Sequence, residues 1–254
     1  MTILLVDAGN SRLKWSELDA TGNTSVQQAR AYAGQPPLAS FLALLDAYPT
    51  IRHITLVHVL TPFFAESVEH LCQERGIQLR IARSVEHAYG ITSGYQQPQS
   101  LGADRFVGLV AARQLAQQAA SIVIDCGTAV TIDAIDEHGR HWGGTILPGL
   151  QLSADALIAR AQGKLSVAFD EPSVFADGTS RAIGGGCLFG LIGAIEGICA
   201  RIQQTMAVPL VRIITGGDAE RLCTWLQGDY VVQPDLLMQG LRYITQQDNA
   251  CIPC

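Results

Sequence analysis

Asp7, Gly9, Ser11 and Lys14 fall within eight residues of one another near the start of the chain. They follow an apolar run of strand length, and a second strand-like run begins at Leu13. Gly9-Asn10 is a strong turn signal between the two runs. A glycine lets backbone approach a ligand closely, and successive N–H groups in such a turn form a concavity suited to anions. Ser11 adds a hydroxyl and Lys14 a cation, while Asp7 stands beside them as a candidate holder of a metal ion. A plain hairpin with a surface lysine would carry the same letters.

The pattern recurs. Ile122 to Asp125 is again an apolar strand ending in Asp, followed by Cys126-Gly127-Thr128 and a further strand-like run to Ile135. Two such hairpins suggest two related halves facing each other across a cleft, with nucleotide phosphates between the turns. A third candidate is Leu101-Gly102-Ala103-Asp104-Arg105-Phe106, which follows a polar loop after Tyr95. Gly102 opens a helix, so a carboxylate and a guanidinium arrive together in its first turn. The helix dipole alone favours an Asp there. Further strand-to-glycine junctions lie at Gly143-Gly144 to Pro148-Gly149 and at Thr215-Gly216-Gly217, where backbone can press against a flat ring or a phosphate.

The elements that must position these residues alternate. Strand-like runs near 2–8, 12–18 and 25–33 precede helix 38–47, strand 51–60, helix 63–75 (stopped by Gly76) and strand 77–82. Three strands followed by alternating helix and strand predict an α/β domain with a mixed sheet. A second half starts near Ala119. It contains a helix over 150–161, a turn at Asp177–Arg181, a glycine-rich helix over 182–202 and a strand from Val211. The glycines at 184, 185, 186, 190, 193 and 197 suggest close helix packing or a dimer face.

The 254 residues allow one large domain or two small ones. Hydrophobic residues make up 48% and charged ones 16%, enough for a substantial core. A net charge of −6 argues against a general nucleic-acid or anionic-membrane binder. No apolar run is expected to reach membrane-spanning length, and the chain reads as cytoplasmic. Seven cysteines, an odd number, fit a reducing compartment, with Cys251 and Cys254 forming a reduced tail. His53, His58, His70 and His87 show no metal-ligand spacing.

Taken together, Asp7 to Lys14, Gly102 to Arg105, Ile124 to Ala129, Gly143 to Gly149, Gly178-Thr179 and Thr215 to Ala219 resemble the type III pantothenate kinases of the acetate-kinase/sugar-kinase/Hsp70/actin superfamily. The stretches occur in the family order from residue 7 to residue 219. The resemblance implies two ribonuclease-H-like (actin-like ATPase) domains, 1–118 and 119–254, with mixed sheets flanked by helices and the last helix free to pack back on the first domain. It implies ATP-dependent phosphorylation of pantothenate, a homodimer, and dependence on Mg²⁺ and a monovalent cation such as K⁺ or NH₄⁺.

By motif position, Asp7, Ala8, Gly9, Asn10, Ser11, Arg12, Leu13, Lys14 and Thr128 correspond to the ATP site. Tyr95, Gly102, Ala103, Asp104, Arg105 and Thr179 correspond to the pantothenate site, with Asp104 as the catalytic base. Asp125 corresponds to the monovalent-cation ligand. Ser11 stands where many relatives carry Thr, and Asp177-Gly178 where a Lys-Asn type pair is expected. Arg105 either neutralises the substrate carboxylate or holds Asp104. Two other readings remain: a sugar- or acetate-type kinase, and a non-enzymatic nucleotide-binding regulatory or accessory protein of the same fold.

Overall fold

The computed structural model describes residues 2–160, 167 and 169–250. Ala161 and the Cys251/Cys254 pair lie outside the described residues. The chain divides into two compact units, one within Met1–Gln117 and Asp235–Cys254, the other within Gln118–Pro234.

The first unit opens with the hairpin β1 (Ile3–Ala8) and β2 (Arg12–Leu18), extended by β3 (Gln28–Ala31). All six residues of β1 are buried, as a central strand covered on both faces requires. Helix α1 (Pro37–Ala47) starts at a proline, which suits the first helical position because its missing N–H would have no intrahelical partner. Strand β4 (His53–His58), helix α2 (Pro62–Glu74) and strand β5 (Gln78–Ile81) follow. Gly76, at φ +64°, turns the chain after α2. A two-stranded ribbon of β6 (His87–Ala88) and β7 (Ile91–Thr92), a 3₁₀ turn at Pro98–Ser100 and helix α3 (Ala103–Leu115) complete this stretch. The sheet order is β3-β2-β1-β4-β5, antiparallel on the β3 side and parallel on the β5 side. Leu4, Val6, Leu13, Phe41, Leu44 and Leu56 pack together on one of its faces.

The second unit repeats this plan. Strands β8 (Ser121–Cys126), β9 (Ala129–Ile135) and β10 (His141–Pro148) form an antiparallel meander. After α4 (Leu150–Arg160) and α5 (Thr179–Met206), strand β11 (Val211–Thr215) pairs parallel with β8. Helix α6 (Ala219–Cys223) leads to β12 (Val231–Val232), parallel to β11. The order β10-β9-β8-β11-β12 matches the first sheet strand for strand. The chain then returns to the first unit as α7 (Leu236–Ala250), which packs against α3, β1, β2 and β4. The chain is therefore α/β, with two mixed sheets flanked by helices.

Three sequence expectations are corrected. The expected turn at Asp177–Arg181 and helix over 182–202 become one helix from Thr179 to Met206, capped by an extended Gly178. That helix is long and apolar enough to cross a membrane by length and composition, contrary to the expectation that no run is. Its apolar content serves the core: Leu188, Leu191, Ile192, Ile195 and Cys199 are buried against the second sheet. Close packing along its glycines also fails for three of them. A Cβ at Gly186, Gly190 or Gly193 would meet nothing within 4 Å, so this stripe faces open space.

Candidate active site

In the first unit, Asp7 and Lys14 are register partners across β1 and β2. Lys14 Nζ stands 3.5 Å from Asp7 Oδ2, and the Asp7 residue is 4% exposed. The turn between them closes with the Gly9 N–H donating to the Arg12 carbonyl at 3.1 Å. Asn10, Ser11 and Arg12 are exposed around it. Tyr32 flanks the same turn, its N–H donating to the Ser11 carbonyl at 3.0 Å. Burial, and then the negative charge of Asp7, push the Tyr32 hydroxyl well above its ordinary range. The hairpin thus holds a buried carboxylate with a lysine beside it, next to an exposed turn.

The second carboxylate of this unit is Asp104, in the first turn of α3. Gly102 precedes the helix, and its Phe106-directed carbonyl accepts the first helical N–H at 3.0 Å. Asp104 Oδ1 accepts the Arg105 N–H at 2.7 Å. A Cβ at position 102 would come within 2.7 Å of that same oxygen, so the glycine leaves room for the carboxylate. Arg105 is buried, and its Nη1 donates to Tyr95 Oη at 2.8 Å. The structure therefore brings Tyr95, Gly102, Asp104 and Arg105 together at one helix start.

In the second unit, Asp125 is the next-to-last residue of β8 and the Gly127 N–H closes the turn onto the Ala129 carbonyl at 3.1 Å. Thr128 is exposed at the tip. Gly149 seats the start of α4 on this turn: its N–H donates to the Thr128 carbonyl at 3.0 Å, and a Cβ there would collide with the Gly127 and Thr128 carbonyls. Gly216, at φ +98°, presses equally close from β11, where a Cβ would stand 2.6 Å from Asp125 Oδ1. Burial raises the Cys126 thiol far above its ordinary range, and the Asp125 and Asp218 charges add to the effect. Thr179 lies on the same unit, exposed at the first position of α5.

A buried polar pair joins β9 and β10. His141 Nε2 and Asp133 Oδ1 lie 2.8 Å apart with both residues at 2% exposure or less. Gly144 packs on Asp133 so closely that a Cβ would overlap its carboxylate. A charged residue inside the apolar alternation of β9 is the one local signal that marks this pair.

A sequence model describing the type III pantothenate kinases matches residues 3–201. Relatives named type III pantothenate kinase include one from Nitrosococcus oceani, 34% identical over 97% of this chain and 95% of its own length. Another, from Alkalilimnicola ehrlichii, is 35% identical over 97% and 98%. Among solved structures, a conserved Baf family protein from Campylobacter jejuni superposes with a TM-score of 0.62 at 22% identity, covering 97% of this chain and 99% of that one. Component A of the (R)-2-hydroxyglutaryl-CoA dehydratase of Acidaminococcus fermentans gives 0.54 at 13% identity, covering 96% and 95%. These structures are similar in fold, the actin-like ATPase and sugar kinase arrangement.

Proposed function

We infer, from the type III pantothenate kinase family to which this chain belongs, that it transfers a phosphoryl group from ATP to the primary hydroxyl of pantothenate, the first step of coenzyme A biosynthesis. The observation that carries the residue-level reading is the Asp7–Lys14 pair at the mouth of a glycine turn.

Phosphoryl transfer asks mainly for positioning and electrostatic stabilisation. The exposed turn at Asn10 and Ser11 and the Lys14 ammonium hold phosphate oxygens; in the second unit, Thr128 is the nucleotide-site residue that the family resemblance implies. Mg²⁺ fits the donor set here: one carboxylate, Asp7, with the remaining shell from phosphates and waters, as this ion commonly takes. When bound it neutralises phosphate charge. Asp104 takes the proton of the attacking hydroxyl; it sits at a helix start with its carboxylate kept accessible by Gly102. Arg105, fixed by Tyr95, supplies a positive charge for the substrate carboxylate. Thr179, exposed at the start of α5, is the substrate-binding residue that the family resemblance implies for the second unit. Asp125 holds a monovalent cation, an oxygen ligand in a locally negative setting.

We also read the chain as a homodimer. Gly186, Gly190 and Gly193 form an open stripe on α5, and Phe175 and Ile146 of the same unit are 92% and 63% exposed. A second copy would cover such apolar surface.

A coupled assay of ADP release with pantothenate, acetate and a hexose as acceptors tests the assignment. Turnover with pantothenate alone is expected. Turnover with acetate or the hexose would move the chain to a neighbouring kinase class, and none with any acceptor would favour a nucleotide-binding accessory role.

A further inference from the structure

The two faces of the second sheet differ in kind. Ile122, Ile124, Cys126, Val130 and Ile132 line one face, all buried and apolar. The alternate positions of β8 and β9 include Asp125, Thr131 and Asp133 on the other. Register then brings three oxygen-bearing side chains into one row. Thr131 on β9 is directly opposite Asp125 on β8, and Thr215 on β11 is the register partner of Asp125 on the other side. Directly paired residues share a face, with Cβ atoms about 4.5–5.5 Å apart. Thr215 is 2% exposed, whereas Asp125 and Thr131 are half-buried.

Backbone closes on the row at its turn end. Gly216 follows Thr215 at φ +98° and leaves no room for a Cβ against Asp125. On the other side, a Cβ at Gly127 would stand 3.8 Å from Asp125 Oδ1. Register thus sets one carboxylate between two threonine positions on the same face of the sheet. Hard cations take oxygen ligands, and a single carboxylate matches a single positive charge. Among the described residues, no group of three or more His, Cys, Asp or Glu could hold a metal ion.

We infer that Thr131 and Thr215 are ligands of a monovalent cation held by Asp125, their hydroxyl oxygens flanking its carboxylate across three adjacent strands. This rests on the reading of Asp125 as the cation's ligand and adds two residues to it. The competing role for both threonines is plain strand formation, which β-branched side chains favour. Valine keeps the shape and the strand preference and removes only the hydroxyl, so Thr→Val separates the two roles.

The test is ²⁰⁵Tl NMR titration of the full-length protein with Tl⁺, a K⁺ surrogate, with and without Mg²⁺ and a non-hydrolysable ATP analogue. Thermal melts in KCl against tetramethylammonium chloride at equal ionic strength give a second readout. Wild type is expected to bind Tl⁺ and to melt higher in KCl. Thr131→Val and Thr215→Val are each expected to weaken Tl⁺ binding at least fivefold and to lose most of the KCl effect, while their melts in tetramethylammonium chloride match wild type. Thr131→Ser and Thr215→Ser, which retain the oxygen, restore binding; they also decide the matter should a valine variant fail to fold. Tl⁺ affinities within twofold of wild type in the Val variants, with Asp125→Asn abolishing binding, overturn the role of the threonines alone. No Tl⁺ binding by wild type, or unchanged binding in Asp125→Asn, overturns that role and the Asp125 reading together.

Discussion

Lys14 Nζ and Asp7 Oδ2 face each other at 3.5 Å across neighbouring strands, with the Lys14 side chain 20% exposed and that of Asp7 only 6%. The asymmetry has a consequence for stability. Lys14→Met removes the counter-charge of a buried carboxylate and is expected to cost about 1–3 kcal/mol. Asp7→Asn removes the buried charge itself and leaves an exposed-side lysine that water can solvate. Urea unfolding should rank Lys14→Met as the less stable variant. The reverse order would mean that the pair does not govern the hairpin's stability.

Asp104 separates two roles by magnitude. As a helix-start residue only, its loss costs about 0.3–1 kcal/mol of stability and leaves chemistry nearly intact. As the general base, its loss slows turnover by about 10²–10⁴-fold. Asp104→Asn preserves size and can still accept the Arg105 N–H. The expected outcome is a folded protein that binds ATP normally with kcat reduced at least about a hundredfold. A kcat within a few-fold of wild type would return Asp104 to a structural role.

His58 gives a pH dependence. It is paired with Ala8 across β4 and β1, and its ring lies 5.7 Å from that of Phe64. Burial holds its pKa below the ordinary 6.5, with Arg83 adding to the effect, against the opposing influence of the Leu60 backbone and Glu69. The unfolded chain therefore takes up a proton that the folded chain resists. Stability is lost as pH falls through 6.5 toward the lower folded value. The melting temperature should drop between pH 7.5 and 5.5, and drop less in His58→Gln. Equal drops in the two proteins would show that other groups carry the acid sensitivity.

The open glycine stripe of α5 bears on assembly. Light scattering should give about twice the 27.2 kDa chain mass. Gly190→Arg places a long charged side chain where the single chain has open space, so the fold should survive while the mass falls toward one chain. A wild-type protein that is a fully active monomer would remove the dimer reading.

Much of the fold was legible because its punctuation is local. Pro36-Pro37, Thr61-Pro62, Gly76 and Pro148-Gly149 stand at element boundaries, and each acts through its own backbone restrictions. The start of α5 was misplaced for the same reason: Asp177-Gly178-Thr179-Ser180 has turn composition, yet Gly178 is extended and the helix begins immediately after it. The five-residue α6 and two-residue β12 carry too little periodicity to be read and exist through their neighbours.

At the candidate site, Asp7, Asp104 and Asp125 draw attention through adjacent glycines. The contacts that define their surroundings are different in kind. Arg105 reaches Tyr95 ten residues away, and His141 meets Asp133 across a hairpin. Thr215 reaches Asp125 only through pairing of strands far apart in sequence. Such neighbours follow from register, which no single segment encodes.

The return of α7 to the first unit has a consequence for the order of synthesis. Residues 118–234 are an insertion within the unit that begins at β1. A ribosome delivers every strand of the second sheet before it delivers the helix that packs against β1 and α3. The second unit can close while translation continues, whereas the first must wait for the final helix. Until then, β1, β2 and β4 carry an uncovered apolar surface, so strands delivered before the second unit are finished only by a helix delivered after it.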